Sequence, residues 1–158
     1  DSVLGVEYFG LTNDKPVPAD YDGDGKADAA LWRNSDTNFY TRQSSDNTDI
    51  TTNFTQTSTD PVPGDFDGDG KTDYAIRNGA DWIIRSSSTG QIGTAIPWQS
   101  GSDIAVQNDY DGDGKVDIAV WKESTGTWYI KNSSGNPATR TQQWGSSGDI
   151  PVPAFYRR

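Results

Sequence analysis

The 158-residue sequence has no cysteine and no histidine. Without cysteine there is neither a disulfide framework nor thiol chemistry. Without histidine, the usual general base and the commonest transition-metal ligand are both missing. No apolar stretch approaches the roughly 18 residues of a membrane-spanning helix. The sequence therefore argues against histidine- or cysteine-dependent catalysis, and we expect no membrane insertion.

Basic residues are scarce, with 13 Lys and Arg against 23 Asp and Glu and a formal net charge of −10. No basic cluster is present, so we expect no nucleic-acid partner and no attraction to anionic membranes. Only 32% of the residues are hydrophobic, which is low for a single thick core. Aromatic residues make up 11%, however, which is not a disordered composition. The balance favours thin, repeated, aromatic-rich layers.

One acidic nonapeptide occurs three times, as DYDGDGKAD (20–28), DFDGDGKTD (65–73) and DYDGDGKVD (109–117). The copies are 45 and 44 residues apart and hold twelve of the 23 acidic residues. A fixed period of this length is typical of repeat architectures.

The repeat extends beyond the acidic segment. PVPAD (16–20), PVPGD (61–65), AVQND (105–109) and PVPAF (151–155) are in register, and an aromatic residue precedes each by seven positions: Phe9, Phe54, Trp98 and Trp144. We interpret residues 1–158 as a single repeat array. Its units span about 16–60, 61–103 and 104–149, with partial strands at 3–9 and 150–156.

Each unit is predicted to form four short strands, which in the middle unit are 61–66, 73–77, 81–86 and 91–98. The segments are rich in β-branched and aromatic residues and are separated by Gly, Ser, Asn or Asp. This pattern predicts an all-β fold of β-propeller blades, each of four antiparallel strands, with three complete blades and partial strands at both ends. Since propellers have roughly 4–8 blades, we expect either a homo-oligomer that completes the ring or the remainder of a longer parent chain.

The nonapeptide has carboxylates at positions 1, 3, 5 and 9 and a lysine at position 7 whose backbone carbonyl could face inward. Calcium prefers six to eight oxygen ligands, and the glycines at positions 4 and 6 let the chain wrap around an ion. The pattern predicts three Ca²⁺ per chain. The predicted ligands are Asp20, Asp22, Asp24, Lys26 and Asp28; Asp65, Asp67, Asp69, Lys71 and Asp73; and Asp109, Asp111, Asp113, Lys115 and Asp117, each lysine through its carbonyl.

Other interpretations of the loop are less suitable. A single Asp-Gly pair usually marks only a hairpin turn, but here the motif recurs with four aspartates each time. An EF-hand needs an acidic ligand at position 12, where this chain has Leu31, Ile76 and Val120. Magnesium usually keeps several waters and avoids an all-protein cage.

The pattern D-h-D-x-D-G-x-x-D after PVPGD resembles the FG-GAP/VCBS repeat, a family that includes the integrin α-subunit propeller and many secreted bacterial proteins. The stretches 121–133 and 143–153 resemble its bacterial branch. The resemblance implies calcium loops between the first and second strands of each blade, on one rim of a propeller. It also implies a secreted or cell-surface protein of bacterial origin. The partial units have no acidic loop and are expected to bind no metal.

Three functions remain open. The first is a non-catalytic calcium-binding propeller module for adhesion, ligand recognition or scaffolding, in which Ca²⁺ stabilises the loops. The second is a calcium-stabilised lectin with glycan sites between blades. Its candidate binding residues are Trp98, Trp144, Trp32 and Trp121, and its candidate hydrogen-bond donors are the polar loops 86–90, 133–136 and 144–149. The same tryptophans could instead pack the blades. The third is an accessory domain of a secreted enzyme.

Catalysis by this chain is not expected, because the clustered aspartates are accounted for as ligands and no nucleophile elbow is present. Four further aspartates precede the first strands at recurring positions, which indicates a turn-capping role. They are Asp14, Asp60, Asp103 and Asp149.

Overall fold

The structure, a computed structural model, describes residues 9–57 and 60–152. In these residues twelve strands form three antiparallel sheets of four strands, each in chain order. The first sheet contains β1 (Lys15–Pro16), β2 (Ala29–Arg33), β3 (Asn38–Arg42) and β4 (Asp49–Asn53). The second contains β5 (Asp60–Pro61), β6 (Tyr74–Asn78), β7 (Asp81–Arg85) and β8 (Ile96–Pro97). The third contains β9 (Ile104–Ala105), β10 (Ile118–Lys122), β11 (Thr127–Lys131) and β12 (Thr139–Gln143).

This arrangement confirms the prediction of an all-β fold built from four-stranded antiparallel blades. The described sheets do not close into a ring. The partial strand predicted at 3–9 lies outside the described residues except for Phe9. Of the one predicted at 150–156, residues 150–152 are described and are not in a strand, and the rest lies outside. In the described part of the chain no helix is long and apolar enough to cross a bilayer.

The inner strands of the middle unit match their predicted positions, whereas the outer strands are shorter than predicted. Of the segment predicted as 61–66, only Pro61 lies in β5, and a bridge between Gly64 and Asp73 follows. Pro63 has no N–H to donate, and the acidic loop begins at Asp65. The segment predicted as 91–98 forms a bridge at Ile92 and the two residues of β8.

Alternation along the second strand of each sheet assigns its side chains to two opposite faces. In β2, Ala30 and Trp32 face the second sheet, where they join Phe39 and Phe54 in a buried cluster with Ile76. Across the junction, the ring of Phe39 contacts Tyr74 of β6, with centroids 5.2 Å apart. Such aromatic pairs contribute about 0.5–1.5 kcal/mol beyond their buried area, so aromatic packing helps to hold the first two sheets together.

The second and third sheets pack in the same way. Trp82 of β7 is buried with Ile118 and Val120 of β10. Trp98, which follows β8, donates its indole N–H to the Tyr129 carbonyl of the third sheet at 3.2 Å. Aromatic residues at equivalent repeat positions therefore form the contact at both junctions.

The outer face of the third sheet carries the same residues without a further described sheet against it. Trp144 is equivalent to Phe54 in the repeat, yet its exposure is 76% against 1% for Phe54. Ile150 and Val152, which follow in the chain, are 83% and 81% exposed. Trp121, the equivalent of Trp32, remains buried on this face, so the exposed surface is the segment around Trp144 that follows the fourth strand.

Of the four aspartates predicted to cap turns, two clearly do so. Asp14 accepts the Leu11 N–H at 2.7 Å, and Asp149 accepts the Ser146 N–H at 2.8 Å.

Asp60 lies one residue later in the repeat, since it pairs with Arg77 where Lys15 pairs with Trp32. Its carboxylate accepts a bond from Arg77 Nη2 at 2.7 Å. Arg77 occupies a tryptophan position, and Asp60 balances its buried charge.

The pair between Asp14 and Arg33 predicts a pH-dependent contribution to stability. Arg33 Nε and Nη2 donate to the two Asp14 oxygens at 2.9 and 2.8 Å. These bonds hold the pKa of Asp14 below its usual value. A lowered pKa stabilises the fold above the ordinary aspartate pKa, and this contribution is lost as the pH falls through the folded-state pKa. Arg33→Gln is expected to reduce the free energy of unfolding in urea at pH 6 and to have little effect at pH 2.

The control for this prediction is Arg42→Gln, which breaks a pair of similar geometry with Asp49 at 2.7 Å. The Asp49 side chain is 60% exposed, whereas that of Asp14 is 7% exposed. Solvent screens exposed pairs, so the control should have a smaller effect at pH 6. An equal loss at both pH values in Arg33→Gln would contradict the prediction.

Candidate metal centre

Each acidic nonapeptide connects the first and second strands of its sheet. The base of each loop is closed by a backbone bridge from the residue before the nonapeptide to its ninth residue: Ala19 to Asp28, Gly64 to Asp73 and Asn108 to Asp117. The three loops therefore start and end at the same points of their sheets, at the end that also carries the turn between the third and fourth strands.

The first aspartate of each loop forms the centre around which the loop winds. In the first loop, Asp20 accepts the Gly23 N–H at 2.6 Å and the Gly25 N–H at 3.0 Å. Both glycines have φ above +80°, which other residues adopt only with strain. Asp65 and Asp109 make the equivalent two bonds in their loops. The glycine spacing is thus explained by the wrapping of the backbone around one carboxylate.

The aspartates at positions 3 and 5 each accept the N–H two residues ahead. Asp22 accepts from Asp24 at 3.0 Å, and Asp24 accepts from Lys26 at 2.8 Å. The same pair of bonds recurs in the second and third loops. These short-range bonds leave the second oxygen of each carboxylate directed to other partners.

The ninth aspartate is the buried member of each loop. Asp28, Asp73 and Asp117 are 1%, 0% and 0% exposed. In the second loop, Asp73 accepts the Phe66 N–H at 2.8 Å and the Ser87 N–H at 2.6 Å. The equivalent bonds occur in the other two loops. The ninth position therefore fastens the loop to the turn between the third and fourth strands.

A pair of serines in that turn contacts the carboxylates. Ser44 donates to Asp24 at 3.0 Å and Ser45 to Asp22 at 2.7 Å. The third loop has the same pattern, from Ser133 to Asp113 at 2.9 Å and from Ser134 to Asp111 at 2.6 Å. In the second loop Ser87 and Ser88 take these roles.

The sequence interpretation considered the serine-rich loops only as donors to a sugar. The signal that identifies their role is a Ser-Ser pair two and three residues after the third strand in every unit. Because this pair is far in sequence from the nonapeptide, only the sheet topology shows that the two segments meet.

Three carboxylates in each loop converge closely enough to share one ion. Oxygens of positions 1, 3 and 9 lie within 4.8 Å of one another in Asp20, Asp22 and Asp28, and likewise in the other two loops. The predicted ligands at position 5, Asp24, Asp69 and Asp113, are not part of these triads. A carboxylate has about four lone-pair sites, so oxygens that accept one N–H can still bind a cation. The residues fit a hard, oxygen-preferring ion.

The electrostatics of the second loop favour a cation. Burial and, to a smaller extent, the charge of Asp67 raise the pKa of Asp73 despite the bonds from Ser87 and Phe66. For Asp67, burial acts in the same direction, but hydrogen bonds from Ser86 and Ser88 outweigh it and lower the pKa. Two close carboxylates that both ionise repel each other, and a bound divalent cation would offset this repulsion.

The four candidate tryptophans differ in accessibility. Trp32 and Trp121 are 0% and 1% exposed, so their ring faces are not free for a ligand in this structure. Trp98 is half-buried against the third sheet. Trp144 is exposed and, with Trp121, Trp128 and Asp149, lines a cleft of about 320 Å³.

Residues 20–76 match the family model described as an FG-GAP-like repeat. The matched segment runs from the first acidic loop through the second loop and into β6, which corresponds to a little more than one repeat. A search of curated proteins gives no significant match. Residues 20–76 are thus similar to the FG-GAP-like repeat, and the same loop geometry recurs in the third sheet, outside the matched segment.

Proposed function

We propose that the chain is a non-catalytic calcium-binding module of the propeller type. The observation that carries the proposal is the convergence of three carboxylates within 4.8 Å in each of three equivalent loops. The family match is consistent with it, since FG-GAP repeats are generally non-enzymatic. The ligands proposed from the sequence also include the position-5 aspartates and the position-7 carbonyls.

Calcium has a structural role in this proposal. The loops hold four aspartates in nine residues, and the ninth is buried. An ion that binds only the folded loop stabilises the fold by mass action. The expected consequence is a rigid rim on which the loops and the adjoining turns are held in fixed positions.

Native mass spectrometry in a volatile calcium buffer tests the proposal. We expect up to three calcium ions per chain, all removed by a chelator. Substitution of Asp67 and Asp73 by Asn should reduce the count to two. Binding of no ion, or a count that does not change in the variant, would reject the proposed sites.

The Ser-Ser turns should contribute to calcium affinity. Their hydroxyls hold the second oxygens of the carboxylates at positions 3 and 5, and groups that orient metal ligands commonly change affinity 10–100-fold. Ser44→Ala with Ser45→Ala is expected to weaken binding at the first loop about tenfold. A calcium titration followed by NMR at the Gly25 amide measures this site separately.

Two control variants accompany this experiment. Substitution of both serines by Thr keeps the hydroxyls and should restore most of the affinity. Ser100 and Ser102 also contact each other, at 3.0 Å, but belong to a different turn; their double alanine variant should bind calcium normally. Unchanged affinity in the Ser44 and Ser45 alanine variant would contradict the role of the turn.

We further propose that the exposed face around Trp144 receives another repeat of the same kind, in a secreted or surface protein whose propeller serves adhesion or scaffolding. Support comes from Phe54 and Trp98, which occupy the equivalent positions and pack against the next sheet. Light scattering on the 158-residue chain distinguishes the sources of that repeat. A mass of at least twice 17.2 kDa indicates a second copy of this chain. A stable folded monomer of 17.2 kDa would contradict a second copy and favour a longer parent chain as the source.

Carbohydrate binding is a second candidate, favoured by the cleft at Trp144. An exposed indole beside a carboxylate suits stacking on a sugar ring with hydrogen bonding at its edge. A glycan array with wild-type protein and Trp144→Ala tests it. Retention on one sugar class that is lost in the variant supports a lectin, whereas no retention supports the packing role of the face.

A further inference from the structure

Each acidic loop contacts the loop of the neighbouring sheet. The Thr72 N–H of the second loop donates to the Asp20 carbonyl of the first at 2.7 Å, and the Val116 N–H of the third donates to the Asp65 carbonyl of the second at 2.7 Å. In both pairs the donor is at position 8 and the acceptor at position 1. The contact is therefore a property of the repeat, since it occurs at both junctions.

The contact leads directly to the buried carboxylate of the accepting loop. The Asp20 carbonyl shares one peptide unit with the Tyr21 N–H, which donates to Asp28 at 2.8 Å. At the second junction the Asp65 carbonyl shares a peptide unit with the Phe66 N–H, which donates to Asp73 at 2.8 Å. Successive hydrogen bonds polarise and strengthen one another. A single peptide unit thus connects the donor of one loop to the ninth aspartate of the preceding loop.

The lysine at position 7 adds a side-chain contact at the same junctions. A Cβ placed on Gly23 would lie 3.1 Å from Lys71 carbons, and one placed on Gly68 would lie 3.0 Å from Lys115 carbons. On Gly112 of the third loop, no described atom lies within 4 Å of that position. The lysine of the following loop therefore packs over the glycine at position 4 in the first two loops, whereas the third loop has no such contact among the described residues.

We propose that the three calcium sites are energetically coupled through these junctions, so that binding at one loop raises the affinity of its neighbours. This inference rests on the proposed calcium function. Thr72 lies between Lys71 and Asp73, and closure of the second loop around an ion fixes its N–H. That N–H in turn orients the peptide unit that holds Asp28 in the first loop. By linkage the effect is reciprocal.

A calcium titration followed by NMR tests the coupling site by site. The amides of Gly25, Gly70 and Gly114 report the three loops, because each donates to the first aspartate of its own loop. In a variant with Asp111→Asn and Asp113→Asn, the third loop should no longer bind. The midpoint at Gly70 is then expected to move to about fivefold higher calcium, the lower end of typical couplings, and the midpoint at Gly25 to move less.

A charge-matched control removes two carboxylates from the opposite end of the sheets. Asp36 lies in the turn between β2 and β3, and Asp81 begins β7. The Asp36→Asn and Asp81→Asn variant should leave the ratio of the Gly70 and Gly25 midpoints unchanged. An unchanged Gly70 midpoint in the third-loop variant, with Gly114 silent, would overturn the coupling.

The same experiment separates the two levels of the proposal. If no glycine amide responds to millimolar calcium in the wild type, the calcium function itself fails. If all three amides respond in the wild type and the Gly70 midpoint is the same in the third-loop variant, the function stands and the coupling fails. Should the third-loop variant not fold, as shown by poor amide dispersion, Asp22→Asn with Asp24→Asn provides the reciprocal test at Gly70.

Discussion

Removal of calcium is expected to lower the midpoint of thermal unfolding by about 20 °C. An ion present at 100 times its dissociation constant stabilises the folded state by about 2.7 kcal/mol per site. Three such sites contribute about 8 kcal/mol, and a domain of this size changes its midpoint by about 2–4 °C per kcal/mol. The effect is large because each of the three acidic loops binds its own calcium ion.

Circular dichroism melts in excess calcium and in excess chelator measure this shift. Magnesium at equal ionic strength is the control, since it prefers octahedral sites that retain water and should restore only a small part of the midpoint. Identical transitions in calcium and in chelator would mean that the loops fold without an ion.

Substitution of Asp73 by Ala is expected to destabilise the protein by about 4 kcal/mol even without calcium. The carboxylate accepts three backbone N–H groups, from Phe66 at 2.8 Å, Asp67 at 3.2 Å and Ser87 at 2.6 Å. Each buried donor that loses its acceptor costs about 1–3 kcal/mol. Urea unfolding in chelator measures the change in the free energy of unfolding.

Asp81→Ala is the matched control, because Asp81 is exposed on β7 of the same sheet. Exposed substitutions of this kind usually change stability by less than about 0.5 kcal/mol. Asp73→Asn keeps one acceptor oxygen and should fall between the two variants. If Asp73→Ala were as stable as the Asp81 control, the ninth aspartate would not be the anchor between the loop and the following turn.

Much of the fold could be predicted from the sequence because the repeat is internally consistent. Segments such as AALWR and IAVWK combine β-propensity with fixed spacing, and the structure forms its central strands there. The outer strands were predicted too long. Pro63 and Pro97 remove ladder donors, and propensity alone does not show how early the pairing ends.

The site was predicted less completely than the fold. Spacing indicated the carboxylates at positions 1, 3 and 9, but it could not show that position 5 lies outside the closest triad. The role of Ser44 and Ser45 depends on the pairing of β3 with β4, which brings a turn some 20 residues away onto the loop. The accessibility of Trp144 could not be predicted from the sequence either, because it has the same repeat position as the buried Phe54 but no further described sheet against it.

Anomalous diffraction from crystals grown in calcium tests the central claim most directly. One peak is predicted inside each nonapeptide, within ligand distance of Asp20, Asp65 and Asp109 and of the ninth aspartate of the same loop. Three well-ordered loops without anomalous density at millimolar calcium would contradict it.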